Sequence, residues 1–310
     1  MSKRILTITM NPALDVSSET EEVLTDQKVR CEKPTYDPGG GGINVARVLS
    51  RLKIPADAQF IAGGITGDYL RTLLQQEKVN DVPIQIKEAT RESVSVLDNK
   101  SGKQYRFVFP GPHIKKDIWE KVLKNVEQNI SSYNYVVASG SLPPGVPVDF
   151  YSRLAKIVLG NGKSYLLDTS GDALSEGIKN GASFIKPNEE EFNELIKQTD
   201  SADENELIEK LYSLGIENII HTLGKEGTYL YNREGKKKFN PPEIKVKSSI
   251  GAGDSFVGGL VGGLASEMNV EDAVCYGISA AASTLQSPGT SLCNLNEVQE
   301  IHADLCGKVV

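Results

Sequence analysis

Cysteine is scarce in this chain, and the cysteines present form no metal-binding or redox pattern. No C-x-x-C pair and no histidine-rich segment occurs, and the four residues are Cys31, Cys275, Cys293 and Cys306. Cysteines spaced in this way are typical of free thiols in a reducing compartment, so we expect a cytoplasmic protein. The three histidines also lack the spacing of metal ligands.

Long apolar runs and an excess of positive charge are missing as well. No run approaches the roughly 20 apolar residues that a membrane span needs, so we expect no membrane partner. The formal net charge is −7 at pH 7, which argues against a nucleic acid as partner. This net charge does not exclude a small anionic ligand that is bound by a local cluster of basic residues.

Several catalytic motifs are also absent. The chain has no G-x-S-x-G segment, which argues against a serine nucleophile of the hydrolase type. Its glycine-rich segments complete neither the G-x-G-x-x-G pattern of dinucleotide-binding folds nor the G-x-x-x-x-G-K-[ST] pattern of P-loop proteins.

Short apolar runs alternate with helical patterns along most of the 310 residues. The predicted strands are 3–10, 135–140, 165–170, 184–188 and 218–224. The predicted helices are 39–52, 114–130, 148–160, 189–198, 203–214, 254–267, 271–286 and 295–306. This alternation is typical of an α/β fold, a doubly wound parallel sheet with helices on both faces, and we expect residues 1–310 to form a single domain.

Residues 12–36 and 92–110 depart from this alternation. Both segments are β-prone and polar on one side, and in the second, two β-prone runs flank residues 99–102, which predicts a hairpin. They return to the main body through the Pro-Gly pairs at 38–39 and 110–111. We therefore predict that they form a small β-sheet lid across one edge of the main sheet.

The segment SSIGAGDSFVGGL places Asp254 directly behind Gly251, Ala252 and Gly253. Free N–H groups at a helix start attract anions, and the helix dipole adds to the attraction. A carboxylate at this point is suited to accept a proton from a hydroxyl that attacks a phosphoryl group. A simple N-cap explains it equally well. Close helix packing explains the later glycines, Gly258, Gly259, Gly262 and Gly263.

Three further motifs each have a functional and a structural interpretation. In GGGGINVAR, glycines allow close approach of a ligand and Asn44 offers a donor and an acceptor, but an ordinary strand-to-helix turn has the same composition. In KPNEEE, Asn188 and Glu191 suit a Mg²⁺–water shell or a helix start. In TLGKEG, the glycines suit a loop over a nucleotide or a plain turn.

Four basic residues fall on or beside the proposed lid. Arginine binds phosphate through two parallel hydrogen bonds, so such a set suits a phosphorylated substrate. Solvated surface charge is the alternative for each of them. The four are Lys28, Arg30, Arg91 and Arg106.

Taken together and in this order, the motifs resemble those of the ribokinase-like, or PfkB-type, sugar kinases. GGGGINVA resembles the N-terminal signature of that family and SSIGAGDSFVGGL the C-terminal one, and the resemblance extends over nearly the whole chain. TMNPALD and SGSLPPG resemble the branch that acts on phosphorylated sugars. That branch includes 1-phosphofructokinases, tagatose-6-phosphate kinases and minor-type 6-phosphofructokinases.

Three details favour the minor-type 6-phosphofructokinases. Gly41 stands where the other two groups have lysine, and we expect it to leave open space there that favours fructose 6-phosphate. QKVRC and QYRFVFPG also resemble the minor-type pattern. The resemblance implies ATP-dependent conversion of fructose 6-phosphate to fructose 1,6-bisphosphate. 1-Phosphofructokinase and tagatose-6-phosphate kinase are alternatives, and a non-catalytic sugar-phosphate sensor on the same fold is the opposing class. The intact Asp254 and glycine triad favour an enzyme.

The resemblance also implies residue roles. Asp254 is the expected catalytic base, and Gly251, Ala252 and Gly253 the expected anion hole. Glu191 is expected to hold Mg²⁺ through water. The expected substrate-binding residues are Asp15, Lys28, Arg30, Gly40, Gly41, Asn44, Arg91 and Ser139. The expected ATP-binding residues are Lys186, Asn188, Thr222, Gly224 and Gly227.

Two expectations concern ions and assembly. Members of this family often bind a monovalent cation. In this chain Ser291 follows TLQSPGT where the nearest family members have arginine, so the resemblance does not decide whether this chain has the cation site. The small lid sheet implies a homodimer formed through two lids, with Lys28 and Arg30 available to the partner's site.

Overall fold

The structure is a computed structural model, and it describes residues 3–287 and 289–306. The strands are β1 (Ile5–Thr9), β2 (Ala13–Thr20), β3 (Thr35–Gly39), β4 (Ala56–Gly63), β5 (Asn80–Ile86), β6 (Arg91–Asp98), β7 (Gln104–Val108), β8 (Tyr135–Ser139), β9 (Ser164–Asp168), β10 (Ala182–Ile185), β11 (Ile216–Thr222), β12 (Thr228–Asn232) and β13 (Gly235–Phe239). The helices are α1 (Gly41–Arg51), α2 (Gly64–Gln76), α3 (Lys116–Asn129), α4 (Phe150–Gly160), α5 (Gly171–Gly177), α6 (Glu189–Gln198), α7 (Glu204–Ser213), α8 (Ala252–Ala265), α9 (Val270–Leu285) and α10 (Leu295–Cys306).

Nine strands form the main sheet, in the order β13-β12-β11-β10-β9-β8-β1-β4-β5. The strands from β11 to β5 pair in parallel, which confirms the predicted doubly wound sheet. β12 and β13 are antiparallel, so the sheet is mixed at one edge. The reason is the short connections, because a parallel pairing needs a crossover of a dozen or more residues.

Helices cover both faces of the main sheet. Successive residues of a strand point to opposite faces, and β1 shows this directly. Ile5 packs with Leu49 of α1 and Phe256 of α8 in one apolar cluster, whereas Leu6 packs with Phe150 of α4 in another. α9 shares the first face with α1 and α8, and α3, α6 and α7 share the second with α4.

The glycines of α8 allow α1 and α9 to approach it closely on two sides. A Cβ on Gly258 would lie 2.8 Å from Val48 Cβ in α1, and one on Gly259 would lie 2.7 Å from the Tyr276 carbonyl oxygen in α9. The structure therefore confirms the packing interpretation of these glycines. The same contacts determine how the start of α8 stands relative to the start of α1.

Four strands form the second sheet, in the order β3-β2-β6-β7. β6 and β7 form the predicted hairpin, and β2 pairs in parallel with β6. The residues between β2 and β3 form no strand, so the first lid segment is only partly β. β7 is exposed throughout, and large apolar side chains such as Phe107 (54% exposed) face solvent.

We predict that Gly259→Ala destabilises the fold, because the new Cβ overlaps the backbone of α9. Overpacking of this kind typically costs about 1–3 kcal/mol, more than the roughly 1 kcal/mol that alanine gains over glycine in a helix. Urea unfolding measures the difference. Gly160→Ala in α4 is the matched control, since no atom lies within 4 Å of its new Cβ. Equal free energies of unfolding for the two variants would contradict the close packing of α8.

Candidate active site

Several of the predicted site residues lie at the carboxyl ends of the parallel strands. Ser139 ends β8, Thr222 ends β11, and Lys186 directly follows β10. The helices α1, α6 and α8 begin at the same edge, so their free N–H groups point toward it. Ligands of doubly wound sheets bind in this position.

The start of α8 has the geometry of an anion site. Gly251 is the N-cap, with φ of 73°, a left-handed conformation that favours glycine. Ala252, Gly253 and Asp254 form the first helical turn, whose N–H groups have no acceptor within the helix. Asp254 is the third helical residue, so the N-cap interpretation of this aspartate is wrong. A Cβ on Gly253 would lie 3.9 Å from Lys186 Nζ, which places this ammonium group beside the helix start.

The Asp254 carboxylate is held by a residue far away in sequence. Asn44 Nδ2 of α1 donates to Asp254 Oδ2 at 2.8 Å. Burial and, to a smaller extent, the negative charge of Asp168 together raise the pKa of Asp254 to about 7, against the hydrogen bond from Asn44. A carboxylate with this pKa exchanges a proton near neutral pH, as a general base must.

Asp168 connects two of the predicted residues and was not itself predicted. Ser139 Oγ donates to Asp168 Oδ2 at 3.1 Å, and Lys186 Nζ lies 3.1 Å from Asp168 Oδ1. Burial acts to lower the pKa of Lys186, but the charges of Asp168 and Glu191 outweigh it and the pKa is raised. Lys186 therefore stays charged beside the start of α8. The sequence contained one signal that could have identified Asp168, because this residue ends the apolar run YLLD.

Asp15 lies near the junction of the two sheets. A Cβ on Gly39 would overlap the Asp15 carboxylate, so a side chain at that position would have to displace the carboxylate. Burial raises the pKa of Asp15 to about 6, and the positive charges of Arg91 and Arg47 act against this rise. Asp15 is thus close enough to Arg91 to interact with it electrostatically.

The predicted open space beside Gly41 is not present. A Cβ on Gly41 would overlap Ser139 Oγ and would lie 3.0 Å from the Gly140 amide nitrogen. A lysine side chain would therefore have to displace the end of β8. The inference that Gly41 leaves room for substrate was wrong, because Ser139 occupies that volume. Gly40, with φ of 117°, is the N-cap of α1.

The basic residues divide into two groups. Arg91 donates from Nη1 to the Phe109 carbonyl at 3.3 Å and from Nη2 to the Asn11 carbonyl at 3.2 Å. Arg106 of β7 lies close enough to Asp15 to oppose the rise in its pKa. Lys28 and Arg30 are exposed on the segment between β2 and β3.

A cavity of about 790 Å³ adjoins the start of α8. Four of the five predicted ATP-binding residues line it, namely Lys186, Thr222, Gly224 and Gly227. Much of the remaining wall is apolar and was not predicted. Its apolar residues include Pro241, Pro242, Ile244, Val246, Phe256, Ile278, Ala281 and Leu285. Such a wall suits a planar aromatic base, with Ala252 and Gly253 at the end of the cavity where phosphates would reach α8.

Asn188 and Glu191 form a capping box at the start of α6. Asn188 Oδ1 accepts from the Glu191 amide at 2.9 Å, and Glu191 Oε2 accepts from the Asn188 amide at 2.9 Å. The structural interpretation of this motif is therefore confirmed. Burial raises the pKa of Glu191, against the hydrogen bond from Asn188. Across residues 3–287 and 289–306, no cluster of three or more His, Cys, Asp or Glu side chains could hold a metal by itself.

The segment that contains Ser291 is tied to β3. Thr290 Oγ1 donates to Asp37 Oδ2 at 2.6 Å, and Ser248 Oγ donates to the Gly289 carbonyl at 2.7 Å. Ser291 itself is exposed. A monovalent cation at this segment stays a prediction.

Comparison with known proteins identifies relatives along the whole chain. Residues 7–297 match the family described as pfkB family carbohydrate kinase. The chain is 38% identical over 302 residues to the ATP-dependent 6-phosphofructokinase isozyme 2 of Mycobacterium tuberculosis, covering 96% of this chain and 88% of that protein. It is 35% identical over 306 residues to the protein of the same name from Escherichia coli, covering 97% and 99%.

The fold matches solved structures as well. The crystal structure of phosphofructokinase-2 from Escherichia coli in complex with potassium has a TM-score of 0.89, at 34% identity, and the match covers 98% of this chain and 99% of that one. A structure described as the tetrameric inhibited form of the same protein matches with the same TM-score of 0.89. In the part of this chain that the structure describes, no helix is long and apolar enough to cross a membrane.

We predict that Asp254→Asn stabilises the unliganded protein more at neutral pH than at acidic pH. The pKa of Asp254 is about 7 in the folded chain against an ordinary 3.8. Between these values the folded chain keeps a proton that the unfolded chain has lost, so wild-type stability falls as the pH rises. The increase in Tm of the variant over the wild type should therefore be smallest near pH 4. It should grow up to about pH 7, where it reaches on the order of a few °C. A gain that is constant from pH 4 to pH 8 would contradict the raised pKa.

Proposed function

The chain belongs to the pfkB family of carbohydrate kinases, and from this premise we propose that it phosphorylates the 1-hydroxyl of fructose 6-phosphate with ATP. As a sugar-phosphate kinase it uses ATP as the phosphoryl donor. The observation that carries the proposal is the Asp254 carboxylate, held by Asn44 and placed in the first turn of α8 beside the cavity. A sensor that only bound the sugar would have no use for a base at this point.

The reaction needs three groups from this chain. Asp254 takes the proton of the 1-hydroxyl as its oxygen attacks the γ-phosphorus of ATP, the bond to the β-phosphate oxygen breaks, and ADP leaves. The N–H groups of Gly253 and its neighbours stabilise the charge on the transferring phosphoryl group. Lys186, kept charged by Asp168, adds a positive charge beside them.

The sugar phosphate lies between the start of α1 and the second sheet in this proposal. Asp15 and Asn44 bind its hydroxyls, while Gly40 and Gly41 bring their backbone close to it. Arg91 binds its phosphate, remote from Asp254. The exposed Lys28 and Arg30 contribute from the segment between β2 and β3.

The ions of the proposed reaction have candidate ligands. Mg²⁺ retains several waters in nucleotide sites, so this chain would need to supply only one or two carboxylates. The residues present fit this requirement, because Glu191 and Asp168 interact electrostatically with the same Lys186. Mg²⁺ neutralises phosphate charge when it is bound. A monovalent cation near Thr290 is the second ion that we propose, as a protein with 34% identity forms a potassium complex.

We propose that the chain works as a homodimer in the cytoplasm, where ATP and hexose phosphates are available. The exposed apolar residues of the second sheet support the dimer, because a second copy packed on them would remove this apolar surface from water. They include Tyr105 and Phe107, which lie on the same face of the β6–β7 hairpin. A tetramer is the alternative assembly, because a structure of the Escherichia coli relative carries that description.

We predict that Asp254→Asn removes turnover and keeps nucleotide binding. Loss of a general base typically lowers the rate by about 10²–10⁴-fold. The Asn44 hydrogen bond survives, because an asparagine carbonyl can still accept it. A coupled assay measures turnover and calorimetry measures ATP binding. A variant that keeps more than a third of the wild-type turnover would exclude Asp254 from the mechanism.

We predict that fructose 6-phosphate is used with a higher kcat/KM than fructose 1-phosphate, tagatose 6-phosphate or free fructose. Arg91→Ala should raise the KM for fructose 6-phosphate by about ten- to a hundredfold, the value of one charge-assisted contact, and leave the KM for ATP nearly unchanged. Arg153→Ala, which removes an exposed arginine on α4, is the matched control.

Each outcome of the substrate comparison has its own meaning. If free fructose is preferred to every hexose phosphate, the phosphate-binding role of Arg91 is wrong. If fructose 1-phosphate or tagatose 6-phosphate is preferred, the kinase mechanism stands and only the choice of sugar fails.

We predict that the protein is a dimer at micromolar concentration and that Phe107→Ser weakens it. Light scattering measures the molecular mass of the wild-type protein and of Phe107→Ser. Leu214→Ser is the matched control, since Leu214 is also an exposed apolar residue but follows α7, outside the second sheet. A fully active wild-type monomer would contradict assembly through this sheet.

A further inference from the structure

Arg47 of α1 is buried, with 2% of its surface exposed, and the reaction proposed above does not use it. Its guanidinium contacts three separate parts of the chain. Nε lies 3.0 Å from each carboxylate oxygen of Glu77, at the end of α2, and Nη2 donates to Glu77 Oε1 at 2.6 Å. Nη2 also donates to Asp37 Oδ1 of β3 at 3.2 Å.

The third nitrogen reaches the candidate active site. Nη1 of Arg47 donates to the Pro38 carbonyl at 3.0 Å and to Asn44 Oδ1 at 3.2 Å. The five N–H groups of an arginine are thereby matched by acceptors of this chain, so none is left over for a ligand. A role for Arg47 must therefore act through the residues that it holds.

The contact with Asn44 determines the direction of its side-chain amide. Arginine can only donate, so the Asn44 oxygen must face Arg47 and its NH₂ group must face Asp254 Oδ2. A flipped amide would set its NH₂ group against the guanidinium and its oxygen against the carboxylate. Both contacts would then be repulsive.

We propose that Arg47 is a positioning residue that holds the Asn44 amide in the orientation that donates to Asp254. This inference rests on the proposed role of Asp254 as the base. Because Asp37 and Pro38 belong to β3, Arg47 also connects the catalytic hydrogen bond to the second sheet. Asp37 extends the connection, because its carboxylate accepts a hydrogen bond from the hydroxyl of Thr290, which lies near the end of α9.

A purely structural role is the competing explanation. Arg47 and Glu77 form a nearly buried ion pair, and removal of one partner from such a pair is destabilising in any protein. The charges that face Asp254 are Asp168, Lys186 and Asp15, and those that face Arg47 are Glu77, Asp37 and Asp15. A test must therefore measure Asp254 itself as well as stability.

Arg47→Lys is the main variant, because lysine keeps the charge but cannot supply the same fixed set of donors. The ionisation of Asp254 is followed by ¹³C carboxyl NMR, with its signal identified by its absence in Asp254→Asn. The hydrogen bond from Asn44 lowers the pKa of Asp254, so its loss in Arg47→Lys should raise that pKa above the wild-type value. The kcat should fall by about 10- to 100-fold, with the KM for ATP little changed.

Two control variants separate positioning from stability. Glu77→Gln should lower Tm but leave the pKa of Asp254 unchanged, because Arg47 keeps its contact with Asn44. Arg71→Lys changes another partly buried ion pair, with Asp81, and should leave both the pKa and kcat unchanged. If Arg47→Lys does not fold, Arg47→Met with Glu77→Gln removes both charges together and should give the same rise in the pKa.

A double-variant comparison tests whether Arg47 acts through Asn44. Asn44→Ala removes the hydrogen bond, so adding Arg47→Lys to it should raise the pKa of Asp254 no further. An unchanged pKa in folded Arg47→Lys, or a rise that adds in full to that of Asn44→Ala, would overturn the proposal. The NMR titration needs no turnover, so a wild-type protein inactive on every hexose phosphate would refute the proposed function while the titration still decided the role of Arg47.

Discussion

The hydrogen bond between Asn44 and Asp254 joins two helix starts that are 210 residues apart in the chain, and the site depends on it. It forms only because α1 and α8 pack closely enough for their first turns to meet. Gly258 and Gly262 make that packing possible, since a side chain at either position would overlap residues of α1 or of the loop that follows it. The helix contacts in the core thus set the geometry of the candidate catalytic base.

The balance of charge around Asp254 follows from the same architecture. The parallel strands β9 and β10 end side by side, which brings the side chains of Asp168 and Lys186 into contact in a nearly buried position. Asp168 raises the pKa of Asp254 and Lys186 lowers it. The proposed base is therefore tuned by residues that approach it from a different layer of the fold, while the free N–H groups of α8 stay available for phosphate.

The sequence predicted what local patterns encode and missed what depends on contacts between distant segments. The glycine triad, Asp254 and Lys186 were recognisable because their motifs are short and continuous. Asp168 was missed because its role depends on contacts with Lys186 and Ser139, which belong to other segments of the chain. The inference about Gly41 failed for the same reason, because Ser139, 98 positions later, fills the space. β12 and β13 were not predicted, because each has only five residues and their alternation is correspondingly short.

The central claim is that a carboxylate with a pKa near neutrality removes the proton of the substrate hydroxyl. The most direct measurement is the pH dependence of single-turnover phosphoryl transfer from ATP to fructose 6-phosphate. Because the base must be ionised, and the pKa of Asp254 is about 7, the rate should fall close to tenfold for each pH unit below that value. The pH range in which the rate falls should move to higher pH in Asn44→Ala, because this variant lacks a hydrogen bond to the Asp254 carboxylate. A rate that stays constant from pH 7 down to pH 5 would contradict the account.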